Sequence, residues 1–299
     1  MSVLIVGSVG IDDIATEDAK RENVLGGSAS YASVAASFFC PVQMVGIVGD
    51  DFPSAFRQLL QSRKIDLTGL EVVPGKTFRW SGIYEKDMNS RRTLKVELNV
   101  FEKFDPKLPA IYQDSKFILL ANISPELQLS VLQQTHAPGF VIADTMDLWI
   151  EIAQQKLLEL LSRIHLLILN DSEARQFSGQ QNLIKAADWL RRKGPKYVVI
   201  KKGEHGAMLV GPEGYFLAPA IPLERVVDPT GAGDTFVGGL AGYLASAGDT
   251  SFDSIKRGVV EGTILASFTV QDFSLNRLIG LTQPERDDRR NLIRRITMY

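Results

Sequence analysis

Short apolar runs rich in β-branched residues alternate with helix-period segments along most of this chain. Ser2 to Val6 is one such run and stops at Gly7; Gln43 to Val48 is another and stops at Gly49-Asp50-Asp51. Phe117–Leu120, Phe140–Ala143, Leu166–Leu169 and Tyr197–Ile200 follow the same pattern. Runs of this kind, apolar on both faces, fit strands buried on both sides. Between them, Ser28–Phe39, Pro53–Arg63, Pro125–Gln134, Glu151–Arg163 and Asn182–Lys193 carry apolar residues at helical spacing. The alternation predicts βαβ units, hence an α/β fold with a parallel sheet covered on both faces.

One segment breaks the rhythm. From Thr77 to Phe101 the pattern reads strand, turn, strand, with the turn near Asp87-Met88-Asn89-Ser90. Leu94, Val96, Leu98 and Val100 alternate with Thr93, Lys95, Glu97 and Asn99, and Phe78, Trp80 and Tyr84 oppose Thr77, Arg79 and Ser81. A period of two gives each strand an apolar and a polar face. An antiparallel hairpin inserted in an α/β chain predicts a small lid sheet, with an edge extension of the main sheet as the alternative. Farther on, Ala207–Val210 and Tyr215–Leu217 read as strands around Gly211-Pro212-Glu213-Gly214, and Val226–Asp228 as a short run before a glycine-rich bend. Helices are predicted at about Asp234–Ser246 and Ser251–Val270, then a charged helical tail from Pro284 to Met298 whose Arg289, Arg290, Arg294 and Arg295 read as a solvated face.

Composition narrows the function. Apolar residues make up 45% and charged residues 23% of the 299, which excludes wholesale disorder. Net charge is −2, from 33 basic and 35 acidic residues, so the basic excess of a nucleic-acid binder is missing. Cys40 is the single cysteine, which rules out an intramolecular disulfide or a cysteine-built zinc site. No apolar run is long enough to span a bilayer, and the start lacks the basic leader of a signal peptide. A cytoplasmic protein with no nucleic-acid or membrane partner is expected.

The sharpest chemical signal is Val226-Val227-Asp228-Pro229-Thr230-Gly231-Ala232-Gly233-Asp234-Thr235-Phe236-Val237-Gly238-Gly239. Gly231, Ala232 and Gly233 have almost no side chain, so their backbone N–H groups are free to converge on an anion. The helix that follows points its positive dipole end at the same place. Such a site suits a phosphoryl group or the charge that develops during its transfer. Asp234 stands at its mouth, placed to accept a proton from an attacking hydroxyl, and the N–H groups predict that its carboxylate stays ionised near neutral pH. The bland reading is a glycine-rich turn with Asp234 as a helix cap.

The run from Asp228 to Gly239 resembles the C-terminal signature of the ribokinase-like (PfkB) family of carbohydrate and nucleoside kinases, with supporting motifs in order along essentially the whole chain. The resemblance implies a doubly wound, mainly parallel α/β domain over residues 1–299, with lid elements at about 13–25 and 76–101. It implies transfer of the ATP γ-phosphoryl group to a hydroxyl of a sugar or sugar-like substrate. By that resemblance Asp234 is the general base, Gly231, Ala232 and Gly233 form the anion hole, and Asp228 with Thr230 belongs to a monovalent-cation site suited to potassium. Asn170-Asp171-Ser172-Glu173 is similar to the NxxE motif that organises magnesium and the ATP phosphates through water. By itself that spacing is also a helix capping box. Lys201-Lys202-Gly203-Glu204-His205-Gly206 matches the family's turn near the nucleotide. Lys201 stands where members often carry Thr, and either meets the phosphates or ends a strand.

At the other end, Asp12 matches the Asp that takes sugar hydroxyls, with Asp13 as its neighbour and rival, and Gly26-Gly27 resembles the GG motif that lets backbone approach substrate. Ser28 there is equally readable as a helix N-cap. Gly10 and Tyr31 replace asparagines of the family pattern, which weighs against ribose itself and leaves the phosphoryl chemistry intact. Tyr31 keeps an adenosine-type ribonucleoside kinase open, because an aromatic ring can stack on a base. Arg79, Glu97 and Asn99 are polar lid positions, with Arg79 and Asn99 taken as substrate contacts. A homodimer through the lid is expected from its apolar face. The competing class is a non-catalytic sugar- or nucleotide-binding regulator, which has no need of Asp234.

Overall fold

The computed structural model describes residues 1–88 and 90–298. Asn89, in the expected hairpin turn, lies outside the described residues. The strands are β1 (Val3–Val6), β2 (Gly10–Ala15), β3 (Lys20–Gly26), β4 (Val42–Gly49), β5 (Ile65–Val73), β6 (Phe78–Tyr84), β7 (Arg91–Glu97), β8 (Phe117–Leu120), β9 (Phe140–Asp144), β10 (Leu166–Asn170), β11 (Tyr197–Lys201), β12 (Ala207–Gly211) and β13 (Gly214–Ala218). The helices are α1 (Ser28–Ala36), α2 (Ser54–Ser62), α3 (Pro125–Gln133), α4 (Asp147–Ile152), α5 (Gln154–Leu161), α6 (Asp171–Ser178), α7 (Leu183–Arg191), α8 (Ala232–Ala247), α9 (Phe252–Thr269), α10 (Asn276–Ile279) and α11 (Gln283–Thr297). Among the described residues, no helix is long and apolar enough to cross a membrane.

Nine strands form the main sheet in the order β13-β12-β11-β10-β9-β8-β1-β4-β5. From β11 through β5 all neighbours run parallel, while β12 and β13 are antiparallel additions. The apolar runs are the interior strands: every residue of β1 and β8 is buried. Side chains from the two faces feed two cores, Leu4 and Val6 into one and Val3 and Ile5 into the other. From β1 the chain goes to β4 on one side and later to β8 on the other. The strand order therefore reverses beside β1, and the crevice at the carboxyl ends of the strands there is the expected ligand position.

A second sheet, ordered β3-β2-β6-β7, is drawn from 10–26 and 78–97. β2 pairs parallel with β6, so Asp12 and Trp80 share one face, and Asp13, Ser81 and Arg79 the other. Ile14, Tyr84, Trp80 and Val24 on the Asp12 face pack with Phe273 and Val227 of the main body. On the edge strand β7, Leu94, Val96 and their neighbours are largely exposed, as is Leu98 just after it. The short run at 226–228 is not a strand. It crosses to α9 instead, the N–H groups of Val227 and Asp228 donating to the Val270 carbonyl.

Helix α8 lies between α1 and α9 at close range. A Cβ on Gly238 would stand 2.2 Å from the Ala32 carbonyl oxygen, so this part of the long motif serves helix packing. The arginines of α11 are less solvated than the sequence predicts. Arg290 pairs with Glu261 at 2.6 Å, and Arg289 stacks on Phe268 and donates to Ser267 Oγ at 2.5 Å; Arg294 and Arg295 remain exposed.

Candidate active site

Three parallel strands end side by side at the crevice. β9 ends at Asp144, β10 at Asn170 and β11 at Lys201, with Asn170 paired to Lys201 in register. The start of α8 faces them. Gly231 is its N-cap at φ 73°, a left-handed conformation that glycine adopts without strain, and a Cβ there would lie 2.3 Å from the Tyr31 ring. The Ala232 N–H is already donated to the Pro229 carbonyl at 3.2 Å. The N–H groups of Gly233 and Asp234 have no backbone acceptor among the described residues, so these two first-turn donors are the ones open to an anion.

Burial raises the Asp234 carboxyl to about 6; the Asp144 charge adds to the rise, while Lys201, Arg91 and its own N–H oppose it. The helix end therefore does not win against desolvation, although the carboxylate is still ionised at neutral pH. Lys201 Nζ lies 3.1 Å from Asp144 Oδ1, and a Cβ on Gly233 would stand 3.2 Å from the same nitrogen. Burial lowers the Lys201 pKa, but the carboxylates of Asp144, Glu173 and Asp234 outweigh it and leave it raised, so the ammonium stays charged.

Asn170 and Glu173 form the capping box of α6: Asn170 Oδ1 accepts the Glu173 N–H at 2.8 Å and Glu173 Oε2 accepts the Asn170 N–H at 2.7 Å. Glu173 is raised to about 7 by burial. The capping-box reading of this spacing is the one observed, and the cap holds Glu173 at the strand ends, where its charge acts on Lys201. Gly203 and Gly206 shape the turn between β11 and β12, where the Lys202 N–H donates to the Gly206 carbonyl. Asp228 is fully buried, and its two oxygens accept the N–H groups of Thr230 at 2.9 Å and Ser274 at 3.2 Å. Thr230 Oγ1 donates to the Tyr84 hydroxyl at 3.2 Å.

Asp12 is 4% exposed and packs so closely on Gly26 that a Cβ there would lie 2.0 Å from Oδ2. Its Oδ1 is buried without a hydrogen-bond partner among the described residues. Burial first, then the charges of Asp228, Asp234 and Asp13, push its pKa up to about 8. Asp13 points from the opposite face of β2 and accepts the Asn23 N–H, which removes it as a rival. Gly27, at φ 89°, is the N-cap of α1; Ser28 is the first helical residue, not the cap, and its Oγ donates to the Asn122 carbonyl.

Three expected substrate contacts are placed elsewhere. Tyr31 is 1% exposed with its ring beneath Gly231, so it supports the anion loop from below and presents no face to a base. Arg79 projects from the other face of β6 and donates to Asn23 Oδ1. Asn99 lies in a short 3-10 turn and donates to the Thr77 carbonyl, closing the base of the small sheet. Residues that sequence reasoning did not single out stand closer. Asp144 reads as nothing more than the acid ending an apolar run until strand order sets it beside Lys201. Arg91 pairs with Tyr84 in register, and its charge lowers the pKa of Asp234.

Comparison with known proteins agrees with this architecture. The model of the pfkB family carbohydrate kinases matches residues 2–277. The cytidine kinase of Thermococcus kodakarensis is 34% identical over 251 residues, covering 81% of this chain and 88% of that protein. The nucleoside kinase of Burkholderia thailandensis in complex with inosine superposes with a TM-score of 0.79 at 19% identity, covering 99% of this chain and 97% of that one. That of Methanocaldococcus jannaschii, an archaeal member of the ribokinase family, gives 0.78 at 18% identity, with 97% and 98% covered. This chain belongs to the pfkB family of carbohydrate kinases, and is an ATP-binding kinase of ribokinase-like fold for small sugar- or nucleoside-type substrates.

Proposed function

We propose that the chain transfers the γ-phosphoryl group of ATP to a hydroxyl of a nucleoside, with Asp234 as general base and the small sheet as a lid. The observation that carries the substrate class is the Asp12 face of that sheet. The Trp80 ring lies along it over Gly82, where a Cβ would meet the indole at 2.3 Å, and Trp80 Nε1 donates to Thr93 Oγ1 at 3.3 Å. Val96 stands opposite Trp80 in register and Val24 opposite Asp12. A flat aromatic and aliphatic surface beside an unpartnered buried carboxyl group suits a planar base joined to a polyol: the ring takes the base and Asp12 the sugar hydroxyls. The 34% identity to a cytidine kinase points the same way. Sugar alone, the simpler expectation from the sequence, has no use for that surface.

In the reaction the substrate oxygen bonds to the γ-phosphorus, the bond to the ADP oxygen breaks, and the hydroxyl proton passes to Asp234. Gly233 and Asp234 N–H groups receive the transferring oxygens, and Lys201 meets the phosphates. Magnesium, when bound, neutralises charge on the β- and γ-phosphates. Among the described residues no three carboxylate, histidine or cysteine groups cluster to hold a metal ion. Glu173 is a carboxylate at the strand ends, the donor type through which magnesium is held with much of its water shell intact. Asp228 and Thr230 are the positions for potassium.

The test is ADP release with ATP, magnesium and potassium over cytidine, adenosine, inosine, ribose and fructose. Stimulation by a nucleoside is expected, with Asp234→Asn slower by about two to four orders of magnitude. Trp80→Ala is expected to raise the nucleoside KM more than about tenfold with kcat retained. Stimulation by free sugars alone, untouched by Trp80→Ala, would replace the nucleoside with a sugar.

A further inference from the structure

The Asp144–Lys201 pair is unusual for the end of a strand. Its side chains are 5% and 18% exposed, respectively, and a surface cap would not take both out of water. The pair lies between two groups of opposite demand. On one side are the first-turn N–H groups of α8, with the Lys201 ammonium 3.2 Å from where a Cβ on Gly233 would stand. On the other is the Glu173 carboxylate, held by its capping box and close enough to act on the Lys201 charge. The same ammonium and the Asp144 carboxylate both act on the charge of Asp234. A general base must touch the attacking hydroxyl, and that hydroxyl must touch the γ-phosphorus. A cation beside both Gly233 and the base therefore sits at the transferring group, not farther back along the triphosphate.

We propose that Lys201 is a catalytic cation for the transferring phosphoryl group, and that Asp144 is the positioning residue that holds it there. The assignment rests on the kinase reading above. Lys201 donates hydrogen bonds to the γ-phosphoryl oxygens and keeps its protons throughout; the only proton transferred goes from the substrate hydroxyl to Asp234. Before ATP arrives, Asp144 supplies the counter-charge that a buried ammonium needs. As charge moves onto the oxygens shared with the Gly233 and Asp234 N–H groups, Lys201 meets it without reorganising. ADP has no γ-phosphoryl group, so it gains little from this contact.

Three variants test the proposal. Removing one member of a buried pair endangers folding, so Lys201→Met is made both alone and with Asp144→Asn, which removes both formal charges. The double variant is expected to melt near the wild-type temperature, to bind ADP in calorimetry within about twofold of wild type, and to lose about 10²–10³-fold in kcat, the usual effect of losing one preorganised donor. Asp144→Asn alone keeps the ammonium and is expected to lose less kcat. It should also move the acid limb of the kcat profile to lower pH, because one of the carboxylates raising Asp234 is gone while Lys201 and Arg91 still lower it. Lys201→Met alone should move that limb to higher pH. These opposite shifts check that both charges act at Asp234, and the loss of kcat with ADP affinity kept is what a purely structural pair would not produce. Retention of kcat within about threefold in the double variant overturns the proposal, as does an equal loss of ADP and ATP affinity with kcat kept, which would make Lys201 a ground-state anchor. Failure of the wild-type protein to phosphorylate any substrate is a different result and removes the kinase reading itself.

Discussion

Replacing Asp12 by Asn should make the protein more stable and less active, and the stability gain should grow with pH. In the unfolded chain this carboxyl titrates at about 3.8; in the fold, burial and the neighbouring carboxylates move it to about 8. The folded state therefore holds the proton more tightly than the unfolded state does. Stability from this group is fully present below pH 3.8 and is lost as pH rises towards 8. At pH 7 the difference spans about three pKa units, a ceiling of about 4 kcal/mol at 1.36 kcal/mol per unit. Water entry and local relaxation reduce it, so a gain of about 2–4 kcal/mol is expected near neutrality. With an unfolding entropy of about 2.1 cal/mol/K per residue, a 299-residue chain gains about 1.6 °C per kcal/mol, or about 3–6 °C. The assay is thermal melting of both proteins between pH 5 and 8, with kinase assays alongside. The amide also has to place its new N–H groups, which shifts the whole curve but not its slope. A difference in melting temperature that stays flat with pH, or a wild type more stable than Asp12→Asn at pH 8, would refute the electrostatic reasoning. A rise in substrate KM of more than about tenfold is expected at every pH, because the carboxylate proposed to accept substrate hydroxyls is gone.

Three further outcomes follow from the same geometry. Because Asp234 is raised to about 6, kcat should fall as pH drops below about 6, where its carboxylate is protonated and cannot accept a proton; a pH–rate profile measures this. Gly231→Ala should cost more than about 10²-fold in kcat, since φ is 73° and the new methyl meets the Tyr31 ring; pairing it with Tyr31→Ala relieves the clash but keeps the backbone strain and opens a cavity, so kinase assays and thermal melting should both stay below wild type. Arg289→Ala should lower stability by about 1–2 kcal/mol, since the guanidinium stacks on Phe268 and bonds Ser267 and Gln271; thermal melting reads it.

The parallel strands were legible because burial on both faces forces continuous apolar runs, and Val3–Val6, Phe117–Leu120 and Tyr197–Lys201 have no other reading. The hairpin of β2 and β3 entered only through the family resemblance, as a lid element at about 13–25, and not through the pattern, because Lys20-Arg21-Glu22-Asn23 is exposed and polar, and its partner β6 lies more than fifty residues on. β5, Ile65–Val73, was hidden for a similar reason: as the sheet's edge it mixes exposed Asp66, Thr68 and Glu71 with buried positions. At the site, the start of α8 could be read from small residues and an acid. What local sequence cannot carry is a pairing across the sheet, such as Asp144 with Lys201, 57 positions apart and joined by strand order alone. Direction was lost too. Tyr31 and Arg79 are in the right segments, but a ring sent under a loop and a strand residue on the far face look the same in sequence as ones aimed at substrate.

The crowding of carboxylates has a consequence for binding itself. Asp12 is raised to about 8, so at pH 7 the empty site holds it protonated. Its Oδ1 has no partner among the described residues, and a substrate hydroxyl donating to it favours the ionised form. Nucleoside binding near neutral pH should then release up to about one proton, and the release should fade above pH 8, where Asp12 is already ionised. Calorimetry in two buffers of different ionisation enthalpy counts that proton directly, and Asp12→Asn should abolish it. If binding releases no proton at pH 7, Asp12 meets the substrate as a neutral acid, donating its proton to a substrate oxygen. The like charges of Asp228 and Asp234 would then serve to keep it protonated, and the hydroxyl acceptor would have to be sought elsewhere in the crevice.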